Sequence, residues 1–202
     1  MPNIELLEKS MPVAPIRIAA LGCRELAEEV DRKLVKFRNE LVERKQLSVI
    51  PQGYSEESFI VECECPRFGT GEGKGYIKES VRGTDLYIMV DVTNYSESYT
   101  VCGHENHMSP DNHFQDLKRI ISAATGKAHR INVIMPFLYE GRQHRRTKRE
   151  SLDCALALKE LSDMGVSNII TFDAHDPRVQ NSIPLNGFDN FFPTYQFLKA
   201  LI

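Results

Sequence analysis

The chain has 202 residues, 42% of them apolar, and a formal net charge of −3, which suits one globular domain with short appendages. Twelve glycines and ten prolines are an ordinary complement, so a collagen-like or low-complexity chain is excluded. No stretch approaches the roughly 18 apolar residues of a membrane span. The first 15 residues contain the acidic Glu5 and Glu8 and no long apolar core, so they do not resemble a secretory signal.

After the predicted N-terminal arm (residues 1–15), apolar strands alternate with amphipathic helices. Short apolar runs indicate buried strands, and apolar residues at three- and four-residue spacing indicate helices. The helix that contains Phe114 follows Ser109-Pro110-Asp111, which is a common helix start. A polar connection is predicted at 46–55. The predicted strands are Ile16–Leu21, Ser58–Glu64, Asp85–Val90, Ile131–Phe137 and Asn168–Phe172, and the predicted helices span about 26–41, 114–124 and 151–164.

The alternation of strands and helices predicts a parallel sheet with both faces covered. Ligands of such sheets bind at the carboxyl ends of the strands. This rule selects three loops, which follow Leu21, Phe137 and Phe172.

The loop after Phe137 contains a strongly basic run, Arg142–Arg149. Guanidinium groups match phosphate oxygens, so at the carboxyl edge of a sheet this run could bind a polyphosphate. A solvated charge run or a nucleic-acid patch is the alternative interpretation. The net negative charge argues against nucleic acid as the partner.

The loop after Phe172 contains Asp173, His175 and Asp176. Carboxylate oxygens suit magnesium, and an imidazole can serve a metal or orient a phosphate. The alternative is that these are ordinary loop residues with internal hydrogen bonds. The residue types alone leave both interpretations open.

The glycine-rich segment Pro66–Gly75 lies between the strand-like stretches Ser58–Glu64 and Tyr76–Val81, and is predicted to be the turn of a long hairpin, or flap. It is not a nucleoside-triphosphate loop, because Phe68 stands where the first glycine of that motif belongs. The dinucleotide-binding pattern fails as well, because its third glycine is replaced by Lys74.

The polar segment Thr93–Pro110 contains potential zinc ligands: Cys102, His104 and His107. Cys63-x-Cys65 could complete a zinc site, but the spacing fits no standard motif, so a polar surface loop is the preferred interpretation. The odd total of five cysteines is typical of reduced thiols and predicts a cytoplasmic protein.

Three separate stretches carry a family resemblance: Glu79-Ser80-Val81-Arg82-Gly83-Thr84-Asp85; Ile131-Asn132-Val133-Ile134-Met135-Pro136-Phe137 with Arg142-Gln143; and Ile169-Ile170-Thr171-Phe172-Asp173-Ala174-His175. They resemble the ribose-phosphate pyrophosphokinases, also called phosphoribosyl-pyrophosphate synthetases. The resemblance runs from about Ile16 to Phe192.

The resemblance implies an α/β fold, a three-layer phosphoribosyltransferase-like lobe with a mostly parallel central sheet and a β-hairpin flap. This lobe would span residues 16–193, and residues 194–202 would begin a link to a second lobe. The implied reaction transfers the diphosphoryl group of ATP to ribose 5-phosphate with Mg²⁺ as cofactor. Neither nucleic acid nor a membrane is an expected partner.

The resemblance also assigns roles by matching position. Arg142 and Gln143 would contact ATP, and His175 would be catalytic at the magnesium–phosphate site, with Asp173 and Asp189 as further metal ligands. The flap residues Phe68, Thr70 and Glu72 would enter the adenine pocket of a neighbouring subunit, so a homo-oligomer is expected.

The chain also departs from the family pattern. Thr70 stands where Asp or Asn is usual, His144 stands where an acidic residue is usual, and Thr93–Pro110 is longer than the family's loop. The family's ribose-5-phosphate loop and its mobile lysine loop are not found in the sequence. We therefore expect residues 1–202 alone not to complete the reaction. The alternative is a non-catalytic regulatory or scaffolding relative.

Overall fold

The computed structural model describes residues 15–45 and 56–202, so the predicted arm before Pro15 and the polar connection 46–55 lie outside the described residues. The elements in chain order are β1 (Ile16–Leu21), α1 (Arg24–Lys45), β2 (Cys63–Glu64), β3 (Tyr76–Ile77), β4 (Asp85–Val90), β5 (Ser98–Val101), β6 (His104–His107), α2 (Pro110–Ala124), β7 (Arg130–Ile134), α3 (Asp153–Asp163), β8 (Val166–Phe172), a 3₁₀ helix (Pro177–Ser182), β9 (Gly187–Phe191) and α4 (Thr194–Leu201).

The central sheet of the described chain has five strands in the order β1-β4-β7-β8-β9, and every pair is parallel. The pairs β2–β3 and β5–β6 are short antiparallel hairpins. The predicted α/β class with a parallel sheet and a hairpin flap is thus confirmed.

The chain changes direction between β1 and β4. Ile60 forms a parallel bridge with Ile18 at the open edge of β1, and the Ile18 N–H donates to the Phe59 carbonyl at 2.8 Å. Helix α1 therefore leads from β1 to its outer edge, and the chain then returns past β1 to β4. Because crossovers are right-handed, α1 lies on one face of the sheet and α2 and α3 lie on the other.

Two apolar clusters confirm this three-layer arrangement. Ala27 of α1 packs with Ile18 and Met89 on one face of the sheet. Leu117 of α2 and Leu158 of α3 belong to the larger cluster on the opposite face. The open sheet thus presents the carboxyl ends of its strands at one edge, where ligands of such folds bind.

Three predicted features need correction. Strand β7 ends at Ile134 instead of Phe137, because Pro136 has no N–H to donate to a neighbouring strand. The predicted strand Ser58–Glu64 is regular only at Cys63–Glu64. The predicted surface loop in Thr93–Pro110 contains the hairpin β5–β6, and both residues of its two-residue turn have positive φ, Cys102 at 51° and Gly103 at 81°.

Local capping fixes where α2 starts. The Ser109 hydroxyl accepts a hydrogen bond from the Asn112 N–H, and Pro110 occupies the first turn, as the sequence predicted.

Helix α4 has no buried residue, and its aromatic side chains Tyr195 and Phe197 are exposed. Within the described ranges, no helix combines the length and the apolar character that crossing a bilayer requires.

The amino ends of β4 and β7 are joined by an ion pair. Asp85 is buried and accepts hydrogen bonds from Arg130 (2.6 Å) and from the ring of His129 (3.0 Å). Burial alone would raise the pKa of Asp85, but the bonds from Arg130 and His129 outweigh it and hold that pKa below its usual value. The pair therefore stabilises the edge opposite the ligand-binding edge.

Candidate functional site

The loop after β7 carries Arg142 and Gln143 at the carboxyl edge of the sheet. The Arg142 guanidinium lies 5.8 Å from the centroid of the Phe137 ring and makes no hydrogen bond within the described residues. The Gln143 side chain is engaged, because its amide donates to the Ser151 carbonyl at 3.1 Å just before α3. Of the two predicted ATP contacts in this loop, Arg142 is available to a ligand and Gln143 anchors the loop.

His144 connects this loop to the loop after β8. Its Nε2 lies 3.5 Å from Oδ2 of Asp176, both side chains are 12% exposed, and its ring centroid is 5.1 Å from that of His175. Asp176 also pairs with Arg178, whose hydrogen bonds lower the pKa of Asp176 and keep it a carboxylate. The two loops that the sequence selected are therefore in contact.

The three predicted metal ligands occupy different environments. Asp173 and His175 are exposed at the end of β8, and Asp173 has a φ of 49°, which is an uncommon conformation for a residue with a side chain. Asp189 lies within β9, and its carboxylate accepts a hydrogen bond from Asn168 at 2.7 Å. No set of three or more His, Cys, Asp or Glu that could hold a metal occurs among the described residues.

This donor set suits magnesium that arrives with a ligand. Mg²⁺ keeps several water molecules and is usually bound through one or two carboxylates together with substrate phosphates. Asp173 and His175 could contribute to such a site, whereas Asp189 would first have to give up its hydrogen bond to Asn168.

Asn190 is a site residue that sequence reasoning missed. Its Oδ1 accepts the Ala174 N–H at 3.0 Å and so holds the loop that carries His175. Its Nδ2 is buried without a partner in the described part of the chain, as is the hydroxyl of Thr171. A polar Asp-Asn pair inside an otherwise aromatic strand is the signal that could have identified it.

Three glycines of the flap, Gly71, Gly73 and Gly75, face the protein, whereas Gly69 has open space around it. A Cβ on Gly75 would lie 2.4 Å from the Arg119 carbonyl oxygen of α2, and one on Gly73 would lie 2.8 Å from the Arg119 guanidinium. Gly71, with a φ of 91°, packs against Val101 of β5. Glycine at 71, 73 and 75 therefore lets the flap lie directly on α2 and β5, so the predicted turn of the hairpin is packed against the protein.

The residues that alternate with the glycines face outward. Phe68 is 56% exposed, and Thr70 and Glu72 are exposed beside it. The Thr70 hydroxyl donates to the Glu72 carboxylate at 2.9 Å. The structure thus brings the three predicted flap residues together. In the described chain, no hydrogen bond or ion pair joins them to Arg142 or His175.

A buried ion pair anchors the flap to α2. Arg67 donates to both carboxylate oxygens of Asp116, at 2.6 and 2.8 Å, and the two side chains are only 6% and 8% exposed. Arg119 donates to the same carboxylate. Such a bidentate pair fixes both distance and orientation.

A cleft lies where the chain changes direction, between β1 and β4. It has a volume of about 720 Å³ and is lined by Gly22, Asp91, Thr93, Asn94 and Phe137, among others. Open α/β sheets bind ligands at such a switch point. The sequence selected the loop after Leu21 but did not select the residues that follow β4.

The potential zinc ligands do not form a site among the described residues. Burial raises the pKa of Cys63 to about 11 and that of Cys65 to about 12, so both thiols stay protonated near neutral pH. His107 stacks on the ring of Tyr95 at 4.7 Å. These groups therefore have packing roles.

Comparison with known proteins gives a consistent result. Residues 18–165 match the model of the N-terminal domain of ribose phosphate pyrophosphokinase. A putative ribose-phosphate pyrophosphokinase 2 from Streptococcus pneumoniae is 35% identical over 137 residues, which cover 66% of this chain and 38% of that protein. A ribose-phosphate pyrophosphokinase from Corynebacterium ammoniagenes is 30% identical over 129 residues, 62% of this chain and 36% of that protein.

A solved structure agrees in fold. The phosphoribosylpyrophosphate synthetase from Mycobacterium smegmatis superposes with a TM-score of 0.61 at 16% identity, over 93% of this chain and 51% of that one. The matched region is thus less than two fifths of the curated relatives' length and about half of the solved chain. On the match over residues 18–165, the chain belongs to the ribose-phosphate pyrophosphokinase family, through that family's N-terminal domain.

Proposed function

We propose that this chain is the lobe of a ribose-phosphate diphosphokinase that binds ATP and magnesium. The reaction would transfer the diphosphoryl group of ATP to ribose 5-phosphate and release AMP. The observation that carries the proposal is the contact between the loops after β7 and β8, which unites a basic loop with the loop of Asp173 and His175 at the carboxyl edge of the sheet.

Charge supports this assignment of roles. Transfer of a phosphoryl-type group depends on positioning and on neutralising negative charge, and needs little covalent help from the protein. Arg142, with no internal hydrogen bond, would bind phosphate oxygens, and Gln143 would hold the loop in place. His175 and Asp173 would face the phosphates and their bound Mg²⁺. The cation would neutralise the negative charge of the phosphates.

The flap supports a second part of the proposal, a homo-oligomer. Phe68, Thr70 and Glu72 point away from their own subunit, so they are available to a nucleotide bound by a neighbour. An exposed phenylalanine can stack on a purine, and Glu72 can accept from an amino group.

The alternative is a non-catalytic scaffolding relative, and one observation favours it. His144, at a position where the family resemblance implies an acidic residue, is engaged with Asp176 and contributes no negative charge of its own. A scaffold would keep the fold and the flap while losing nucleotide affinity.

Titration of magnesium-ATP into residues 1–202, followed by calorimetry, distinguishes the two functions. We expect saturable, magnesium-dependent binding that Arg142→Ala weakens about tenfold or more, because charge-assisted hydrogen bonds contribute roughly 1.5–3 kcal/mol. Lys127→Ala is the matched control, since it removes one positive charge at the opposite edge of the sheet.

Absence of saturable binding would favour the scaffold. Equal losses in the Arg142 and Lys127 variants would show that Arg142 acts only through general charge. We also expect no phosphoribosyl pyrophosphate from residues 1–202 alone in a coupled assay, and turnover there would contradict the assignment of this chain to one lobe.

A further inference from the structure

The hairpin β5–β6 lies against the flap. The guanidinium carbon of Arg67 is 5.0 Å from the centroid of the Tyr99 ring, and the Cys102 thiol donates to the Gly69 carbonyl at 3.4 Å. Val101 faces Gly71, where an added Cβ would lie 3.4 Å from its methyl group. One hairpin therefore touches the other at three points along its length.

The side chains of β5 alternate as this contact requires. Tyr99 and Val101 are half-buried against the flap, whereas Ser98 and Thr100 are exposed. All four residues of β6 are exposed. Strand residues two apart share a face, so β5 presents one apolar face to the flap.

The flap has little pairing of its own. The flap has two regular residue pairs at its base and one isolated bridge, Arg67–Gly73, near its tip. Isolated two-stranded hairpins are at best marginally stable in water. The orientation of the flap must therefore come from what it packs on: the inner face of β5, and α2, which holds it through Arg119 and the Arg67–Asp116 ion pair.

We propose that Tyr99 and Val101 are positioning residues: through the inner face of the flap they fix the direction in which Phe68, Thr70 and Glu72 point. The hairpin β5–β6, which lies in the segment that is longer than the family's loop, is on this basis a support for the nucleotide-contacting flap. The consequence for ligand affinity rests on the proposed function. The consequence for flap order does not.

Amide hydrogen exchange of residues 1–202, read by mass spectrometry, tests the support directly. The reporter peptide covers residues 66–75, which contain the bonds from Phe68 N–H to the Glu72 carbonyl and from Lys74 N–H to the Pro66 carbonyl. We expect Tyr99→Ala/Val101→Ala to speed exchange in this peptide about tenfold, with peptides of β4 and β7 unchanged.

Conservative variants and a surface variant complete the test. Tyr99→Phe keeps the ring under Arg67 and should restore protection, and Thr100→Ala, on the exposed face of the same strand, should have no effect. If the double variant loses protection throughout the sheet, the single Tyr99→Ala variant is compared with Tyr99→Phe in the same peptides.

Unchanged exchange at residues 66–75 in the variants that retain a protected sheet would overturn the proposal. Magnesium-ATP titration is the second measurement, in which the Tyr99→Ala variant should bind about three- to tenfold more weakly than Tyr99→Phe. If no form of the protein binds ATP, the proposed function fails, and the exchange result still decides the support role.

Discussion

The buried ion pair between Arg67 and Asp116 gives the sharpest prediction. Asp116→Asn removes one negative charge with almost no change in shape, so it opens no cavity. The two guanidinium contacts, at 2.6 and 2.8 Å, then face an amide with one acceptor oxygen and one N–H₂ group. Arg119 donates to the same carboxylate, so two cations lose their shared counter-ion.

The magnitude follows from burial. With both side chains less than one tenth exposed, the variant leaves a buried guanidinium that cannot lose its proton. Removing one partner of a buried pair typically costs about 3–5 kcal/mol. Arg67 can avoid that cost only by reaching water, which requires the flap to leave α2. The flap can detach when keeping it docked costs more than releasing it. Asp116→Asn therefore cannot lower the free energy of unfolding by more than the free energy that docks the flap on α2.

Urea unfolding followed by circular dichroism measures the global effect, and amide exchange at residues 66–75 measures the local one. We expect either a loss of about 3 kcal/mol or a smaller loss with a flap that has become unprotected. The apolar pair Arg67→Met/Asp116→Leu should recover most of the stability, since well-packed apolar residues can replace a buried ion pair. A change below about 1 kcal/mol with full flap protection would refute the reasoning.

Two further predictions concern steric fit and pH. Gly75→Ala should destabilise the protein by about 1–3 kcal/mol in urea unfolding, because its Cβ would lie 2.4 Å from a backbone oxygen. Gly69→Ala, with open space around it, should change the stability by no more than about 0.5 kcal/mol. Equal effects of the two variants would contradict the close approach of the flap and α2. The pKa of Asp85 is lower in the folded protein than its unfolded value of about 3.9. The Asp85 carboxylate therefore contributes fully to folding stability above about pH 3.9, and this contribution is lost as the pH falls through the folded pKa. Asp85→Asn should therefore make the stability less dependent on pH in acid. The same loss of stability in acid for Asp85→Asn and for the unmodified protein would contradict the stabilising role of Asp85.

Much of the fold could be predicted because the central elements have strong patterns. Asp85–Val90 is an apolar strand with the same bounds in sequence and structure, and Ser109 caps α2 as its type suggests. Strand β9 was missed because Gly187–Phe191 mixes glycine, aspartate and asparagine at a sheet edge, where one side is solvated. The same applies to β6, whose four exposed polar residues show no apolar alternation.

The candidate site was predictable only in part. The rule for carboxyl ends of strands selected the loops of Arg142 and His175, and the structure places these loops in contact. The rule could do so because it depends on topology and not on contacts. The hydrogen bond from Gln143 to Ser151 and the contact of His144 with Asp176 depend on residues distant in sequence or on loop conformation. No local pattern encodes them.

The alternate glycines of the flap have a consequence for how this segment can change. Substitution at an inner position such as Gly75 would force the flap off α2, whereas a side chain at an outward position is exposed to solvent. Mutational tolerance should therefore alternate with period two from Gly71 to Gly75. The side chain of Thr70 bonds only to the exposed Glu72, so substitution there should cost the fold little. Variants at Thr70 therefore test the proposed nucleotide contact and not the packing of the flap.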